Sequence, residues 1–231
     1  AGEMTRKHQQ KRENLPMRSL PLLAVALTLG ATSCSSPSAA PDWDADVIIV
    51  GAGIAGLSAA VEIARGGGDV LVVDMASVFG GHAVSAHGGL AIVGSPVQEA
   101  AGVSDSPELA HADFMTWGED ADETWVRTYV DNSKAEIHDW VVDLGVEFED
   151  LVHVPGNSVP RFHNVQGRGL GLVTPIYLGA LSEGVRFQWN TRVDELIVED
   201  GRVVGAHGTS LRANTPVTLR APTVLLSTGG F

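Results

Sequence analysis

Three glycines and one aspartate have the residue types and spacing of a dinucleotide-binding site. Gly51, Gly53 and Gly56 form a G-x-G-x-x-G pattern, and Asp74 follows eighteen positions after the last of them. In such a pattern the first glycine lets the chain reverse, the second lets a pyrophosphate approach the backbone, and the third permits close helix–strand packing. A carboxylate at the position of Asp74 accepts hydrogen bonds from a ribose 2′-hydroxyl and repels a 2′-phosphate. These four residues predict a site for an adenine dinucleotide.

The elements that would position these residues form one βαβ unit. Val47 to Val50 is a short apolar, β-branched run, which predicts a buried parallel strand. A helix from about Ile54 to Arg65 directs its free N–H groups and its positive dipole end toward the phosphate. A second apolar strand, Val70 to Val73, ends immediately before the aspartate. The sequence therefore predicts an α/β, Rossmann-like domain with a central parallel sheet.

A second glycine-rich stretch lies at 77–90, with Gly-Gly pairs at 80–81 and 88–89. Two such pairs with small residues between them indicate backbone that lies flat against a ligand. Together with the first motif, this stretch resembles the flavoprotein subunits of the fumarate reductase and succinate dehydrogenase superfamily, which includes 3-ketosteroid dehydrogenase and urocanate reductase relatives. In that family the acid of the second strand binds the FAD ribose. The Gly-Gly segment there lines the pyrophosphate, the ribityl chain and the isoalloxazine.

Three further motifs extend the resemblance over about residues 46–231. In relatives, an Arg-x-His matching Arg161 and His163 precedes a glycine-rich helix start near the flavin. The backbone at the position of Val193 meets the adenine, and residues 228–230 resemble the Ala-Thr-Gly-Gly signature that closes the FAD domain. The FAD-binding residues that the first motif and the resemblance together imply are Gly51, Gly53, Ala55, Gly56, Asp74, Met75, Gly80, Gly81, His82, Ala83, Ser85, Gly88, Gly89, Val193, Thr228, Gly229 and Gly230.

Arg161 and His163 are the weak candidates for catalytic groups; a histidine satisfied within a loop is the alternative for the second. His82 lies in a segment that resembles the one carrying a covalent flavin in succinate dehydrogenase. The preceding pair 80–81 instead resembles members that hold FAD without a bond, so we expect a non-covalent flavin. His82 and His87 have no cysteine or paired carboxylate beside them, and we expect no metal site.

Further elements follow from periodicity and turn residues. Apolar residues at helical spacing predict a helix from about Glu123 to Leu144, with Trp125 and Trp140 as packing residues. Another helix is expected to begin near 174–175, where a proline fits the first turn. Residues 185–206 are expected to form β-strands joined by an Asp-Gly turn, which adds an antiparallel β-meander to the domain.

The composition is that of an acidic globular protein. The 231 residues are 44% hydrophobic and 19% charged, and the formal net charge is −13 at pH 7. Sequence-independent nucleic-acid binding requires clustered cations, which this balance argues against. We therefore expect no nucleic-acid partner.

The first forty residues have the pattern of an export signal. Basic residues precede an apolar run from Leu20 to Leu29, and small residues lead to Cys34. Residues 1–33 are thus expected to be a signal peptide and 34–45 a linker. The position of Cys34 resembles the bacterial lipobox, which implies an exported periplasmic or cell-envelope lipoprotein anchored to the membrane. Simple cleavage nearby and a buried core helix are the alternatives.

The expected function is that of an FAD-dependent oxidoreductase. The resemblance implies hydride transfer between flavin and a carbon–carbon bond next to a carbonyl or carboxylate, with an enoate or an enone or steroid-like small molecule as substrate. A 3-ketosteroid-type dehydrogenase and a non-catalytic flavin-binding remnant remain alternatives. An NAD-dependent dehydrogenase would need only the first βαβ unit and would leave the Gly-Gly segment unexplained. The motifs do not specify the electron donor.

The resemblance also bears on the extent of the chain. In that family the chain continues past the Thr-Gly-Gly motif into a mobile cap domain, then returns with a segment that completes the FAD site. The arginine proton donor and most substrate ligands come from those later parts. We therefore expect the FAD-binding domain, 46–231, to be incomplete at its C-terminus, and residues 1–231 alone to bind FAD weakly without turning over substrate.

Overall fold

The computed structural model describes residues 42–230. The expected signal peptide, Cys34 and most of the expected linker therefore lie outside the described residues, as does Phe231. Within the described range, no helix combines the length and the apolar character that a membrane crossing requires.

Strands and helices alternate along the described part of the chain. The strands are β1 (Val47–Val50), β2 (Val70–Val73), β3 (Gly89–Ala91), β4 (Phe148–Val152), β5 (Phe162–Val165), β6 (Arg186–Gln188), β7 (Thr191–Glu199), β8 (Arg202–Ser210), β9 (Thr215–Arg220) and β10 (Thr223–Leu226). The α-helices are α1 (Ile54–Arg65), α2 (Pro96–Ala100), α3 (Pro107–Trp117), α4 (Glu123–Asn132), α5 (Trp140–Asp143) and α6 (Arg168–Ser182). A 3₁₀ helix spans Gly81–Ser85, and a π-helix spans Ser133–Asp139. The first βαβ unit has the bounds expected from the sequence.

Four parallel strands form the central sheet in the order β10-β1-β2-β6. Val47 of β1 lies beside Val70 of β2 and Thr223 of β10. Because the strands run in one direction, their carboxyl ends meet at one edge, where Gly51 and Asp74 follow β1 and β2. The Rossmann-like α/β class expected from the sequence is confirmed.

The two faces of the central sheet pack into separate hydrophobic cores. On one face, Ile49 and Val72 pack in a cluster that includes residues of α1 and α6. On the other face, Ile48 and Val73 cluster with Leu219 of β9. Because both faces are covered, every residue of β2 is buried, as expected for a parallel strand of continuous apolar sequence.

The sheet that covers the second face is the expected antiparallel β-meander, with the order β7-β8-β9. Its first turn contains Asp200 at φ +50° and Gly201 at φ +74°. Two consecutive positive φ angles are those of a type I′ turn, which is why an Asp-Gly pair forms it readily. Val193 and Val217 pack with Leu219 against the central sheet. The β-meander is confirmed.

A third sheet was not expected from the sequence. It is antiparallel and has the order β3-β5-β4; its first strand begins at the end of the glycine-rich stretch, and its other strands precede α6 in the chain. Its strands are short, and β5 buries a histidine, His163, beside Val165. A buried polar residue weakens the apolar alternation by which a strand is recognised.

The expected helix over 123–144 is interrupted. The π-helix separates α4 from α5, and the buried hydroxyl of Ser133 accepts a hydrogen bond from Val93 N at 3.1 Å. The extra residue of a π-turn changes the helix phase. Val130 therefore packs in a small cluster with Val93, while Val141 packs in the core beside α1 and α6. An uninterrupted helix could not direct Val130 and Val141 into these two separate clusters.

Two smaller expectations were wrong. Trp125 is 74% exposed and does not serve as a packing residue, whereas Trp140 packs against the core and donates to Glu62 Oε1 at 2.6 Å. Helix α6 begins at Arg168, and Pro175 lies inside it. The helix start depends on Gly167, whose φ of +76° a sequence pattern does not reveal.

We expect Gly56→Ala to destabilise the fold. A Cβ at this position would lie 2.0 Å from Gly51 O and 2.6 Å from Ser227 Oγ, so α1 would have to move away from the turn. Overpacking of this kind costs about 1–3 kcal/mol. Urea unfolding without FAD measures the loss. Gly53→Ala is the matched control because its Cβ would meet no atom within 4 Å; equal stability of the two variants would contradict the packing argument.

Candidate cofactor-binding site

The site begins at the turn between β1 and α1. Gly51 has φ +111°, and a Cβ there would lie 2.4 Å from Ser227 O. Gly53 is the N-cap of α1 and makes no side-chain capping bond, so the first N–H groups of the helix have no side-chain acceptor at the cap. No atom lies within 4 Å of a Cβ built on Gly53. This open space beside a helix N-terminus fits a pyrophosphate.

The first Gly-Gly pair forms the opposite wall. Gly80 N donates to Ala52 O at 2.7 Å, and a bridge joins Gly53 to Gly80. The cavity between the two loops has a volume of about 280 Å³. The expected binding residues that line it are Gly51, Gly53, Ala55, Asp74, Gly80, Gly81, His82, Ala83, Thr228 and Gly229. Much of this lining is backbone, which leaves room for a ligand close to the main chain.

Asp74 joins this cavity to a second one. Its carboxylate accepts hydrogen bonds from Ala52 N and from Ala76 N, both at 2.7 Å. The second cavity, of about 120 Å³, is lined among the expected residues by Gly51, Asp74, Met75, Val193 and Thr228. Two cavities that meet at one carboxylate fit a pyrophosphate on one side and an adenosine on the other.

The remaining expected residues line neither cavity. Gly56 is buried below the turn, and Ser85 Oγ donates to His82 O at 3.0 Å. Gly88 packs against the start of α6, Gly89 packs under the Phe162 ring, and Gly230 is exposed. Thr191 and Arg192, which also line the smaller cavity, were not expected from the sequence. They lie at the start of β7, and only the packing of the β-meander on the central sheet places them there.

Arg161 is completely buried, and its guanidinium is bound on several sides. It forms a two-bond pair with Asp105 at 2.7 and 2.8 Å, and it also donates to Asp113 and to Asn157. Burial opposes the charged form, but the hydrogen bonds with the two carboxylates outweigh it and raise the pKa of Arg161. The arginine thus ties the start of β5 to α3, and Asp105 and Asp113 are partners that the sequence did not identify.

His163 is also completely buried. Its Nδ1 lies 2.7 Å from Arg161 O, and its Nε2 lies 2.5 Å from Ser95 Oγ. A carbonyl only accepts, so Nδ1 carries the proton and the serine hydroxyl donates to Nε2. Burial is the largest influence on this ring and lowers the pKa of His163, against the smaller opposing effect of the bond to Arg161 O. The arrangement holds a neutral imidazole inside the protein.

The geometry of the two cavities agrees with the family to which the sequence is similar. The family described as FAD binding domain matches residues 46–231. The chain belongs to this FAD-binding family. Its cofactor is FAD, as expected. The two cavities that meet at Asp74 are open spaces on either side of one carboxylate, which is compatible with a dinucleotide. Within residues 42–230, no three His, Cys, Asp or Glu side chains are grouped so that they could hold a metal ion.

Similar proteins in this family include steroid and fumarate enzymes. A KsdD-like steroid dehydrogenase from Mycolicibacterium smegmatis is 38% identical, over 81% of this chain and 40% of its own length. A fumarate reductase (cytochrome) from Shewanella frigidimarina is 32% identical, over 84% of this chain and 34% of its own length. The crystal structure of 3-ketosteroid-Δ4-(5α)-dehydrogenase from Rhodococcus jostii RHA1 matches with a TM-score of 0.75 and 33% identity, over 87% of this chain and 48% of that one. The chain spans less than half of each of these proteins.

We expect Asp74→Ala to weaken FAD binding about ten- to a hundredfold. A hydrogen bond to a charged partner contributes about 1.5–3 kcal/mol, and the variant would also leave Ala52 N and Ala76 N without their acceptor. Fluorescence titration with FAD measures the effect. Asp69→Ala is the matched control because it removes an exposed carboxylate at the other end of β2. Unchanged FAD affinity in Asp74→Ala would refute the assignment.

We expect the free energy of unfolding to decrease as the pH falls below about 6.5. There the unfolded chain takes up a proton at His163 that the folded protein, with its lowered pKa, does not. Urea unfolding at about pH 5 and about pH 7.5 measures the difference. In His163→Gln this pH dependence should shrink, whereas in His207→Gln, which changes an exposed histidine, it should persist. Equal pH dependence in all three proteins would contradict the prediction.

Proposed function

We propose that this chain is the FAD-binding domain of an oxidoreductase that transfers a hydride between FAD and a carbon–carbon bond next to a carbonyl or carboxylate. The observation that carries this proposal is the pair of relatives named for fumarate and for steroids, which align with 84% and 81% of the chain. Fumarate and 3-ketosteroids both contain a carbon–carbon bond next to a carbonyl carbon. A domain that is common to the fumarate and the steroid enzymes therefore takes part in the redox step and does not select the substrate.

The division of labour between cofactor and protein supports the same conclusion. The chemistry that FAD supplies is the acceptance or donation of a hydride. The residues of this chain bind and orient it: the 51–56 turn holds the pyrophosphate, Asp74 holds the ribose, and the loop from Gly80 forms the opposite wall. Arg161 has no part in substrate binding in this proposal, because Asp105 and Asp113 already hold its guanidinium.

The proposed substrate is a fumarate-like enoate. A saturated 3-ketosteroid is the second candidate, and the observation that supports it is the identity of the steroid dehydrogenase relative, 38% against 32% for the fumarate reductase. The two candidates predict opposite directions of electron flow. An enoate oxidises reduced flavin, whereas a saturated ketosteroid reduces oxidised flavin.

A stopped-flow experiment on the complete product of the reading frame that encodes this chain distinguishes the candidates. Reduced, FAD-loaded protein should regain its flavin absorbance when mixed anaerobically with fumarate, and the oxidised protein should not bleach with a saturated 3-ketosteroid. Asp74→Ala, which we expect to bind FAD more weakly and so to leave more of it free, is the control for reaction by free flavin. Bleaching by the steroid alone would select the second candidate, and no response to either compound would favour a non-catalytic flavin-binding role.

We also propose that residues 1–33 direct export and that Cys34 is lipidated. The support is the sequence pattern itself, in which basic residues, a short apolar run and small residues precede the cysteine. Two or three acyl chains hold a protein at a membrane far better than one. Mass spectrometry of the membrane fraction should therefore find a diacylglyceryl-modified Cys34. Cys34→Ala should move the protein to the soluble fraction, and an unmodified Cys34 in the native protein would rule the anchor out.

A further inference from the structure

The order of the two cavities determines where the flavin end of the cofactor extends. Val193, whose position in relatives meets the adenine, lines the smaller cavity, and Asp74 lines both. The larger cavity continues from Asp74 past Gly53 to His82 and Ala83. A dinucleotide anchored at Asp74 by its ribose therefore directs its flavin toward the 3₁₀ helix and the chain that follows it, residues 81–89.

The start of α6 lies directly against this segment. Gly169 N donates to Ala86 O at 3.1 Å, and a Cβ on Gly169 would lie 1.9 Å from Ala83 O. A Cβ on Gly88 would lie 2.4 Å from the carbonyl carbon of Arg168. The backbone of Arg168 is thus in contact with the segment toward which the flavin extends.

The charge of Arg168 is not neutralised by a neighbour. Its side chain is exposed and forms no ion pair within residues 42–230. Arg202 and Arg212 are the other arginines and lysines of this range without an ion pair, and both lie at turns of the β-meander. In a protein with a formal net charge of −13, an unpaired cation whose backbone contacts the segment after the larger cavity is a distinct electrostatic feature.

We propose that Arg168 tunes the redox potential of the flavin: the positive charge of its side chain favours the reduced, more negatively charged state of the bound cofactor. The proposal deepens the FAD-dependent redox function proposed above and rests on it. A cation near the flavin ring lowers the free energy of added negative charge, and proteins tune flavins in this way. The backbone of Arg168 is fixed beside Gly88, and the arginine side chain is long enough for its guanidinium to reach the ring from there.

Two substitutions at this position separate charge from conformation. Arg168 has φ +59°, a backbone conformation that is unfavourable for lysine and glutamine alike. Arg168→Lys and Arg168→Gln therefore have the same backbone strain and differ in charge. Arg202→Gln is the matched control because it removes an exposed, unpaired cation from the β-meander.

The measurement is the midpoint potential of FAD bound to the purified protein, together with the dissociation constant for oxidised FAD. In Arg168→Gln we expect a roughly tenfold loss of preference for reduced over oxidised FAD, which is about 30 mV for a two-electron couple. Arg168→Lys and Arg202→Gln should keep the potential of the parent protein. Higher ionic strength should reduce the difference, because an exposed charge is screened by salt.

Two results would overturn the proposal. One is an unchanged potential in Arg168→Gln, and the other is an equal shift in Arg168→Gln and Arg168→Lys, which would indicate a conformational role. The potential is measured without substrate, so it is independent of whether fumarate or a steroid reacts. Failure of both compounds to react, with a potential shifted only in Arg168→Gln, would reject the proposed reaction and retain the role of Arg168.

Discussion

The site depends on the close backbone packing of β1, α1 and β10 at the carboxyl edge of the central sheet. Gly51 and Gly56 meet each other and Ser227 at distances that allow no Cβ. Ser227 closes this junction, because its N–H donates to Val50 O at 2.8 Å and its hydroxyl lies 3.0 Å from Val50 O and 3.1 Å from Gly51 O. With the strand ends fixed, the α1 N-terminus faces the open space beside Gly53.

A second constraint is the carboxylate of Asp74, which holds two loops in place. It accepts from Ala52 N in the glycine turn and from Ala76 N in the loop after β2. The aspartate therefore shapes the site before any ribose binds, and the family match explains what that shape holds. Much of the cavity beside it is backbone, so what it offers a dinucleotide is shape and N–H groups rather than long side chains.

The third sheet is held by a buried polar network instead of a hydrophobic core alone. Arg161 donates to the carboxylates of Asp105 and Asp113, and His163 binds the hydroxyl of Ser95. Gln98 joins the two sets, because its side chain donates to Asp105 and its N–H donates to the Ser95 hydroxyl. A buried guanidinium is tolerated only when its charge is paired, and two aspartates pair it here. Residues that resemble a catalytic motif in sequence thus hold the scaffold beside the glycine-rich stretch.

The sequence by itself determined the βαβ unit, the β-meander and the family, because these depend on local patterns: apolar runs, glycine spacing, an Asp-Gly turn and an acid at a strand end. It did not determine the third sheet, the π-helix, the start of α6, or the partners of Arg161. Those depend on residues far apart in the chain, such as Asp105 and Arg161, that only folding brings together. The same reason applies to Thr191 and Arg168: both lie next to motif residues, but neither was predicted as a site residue, and only the packing of β7 and α6 positions them.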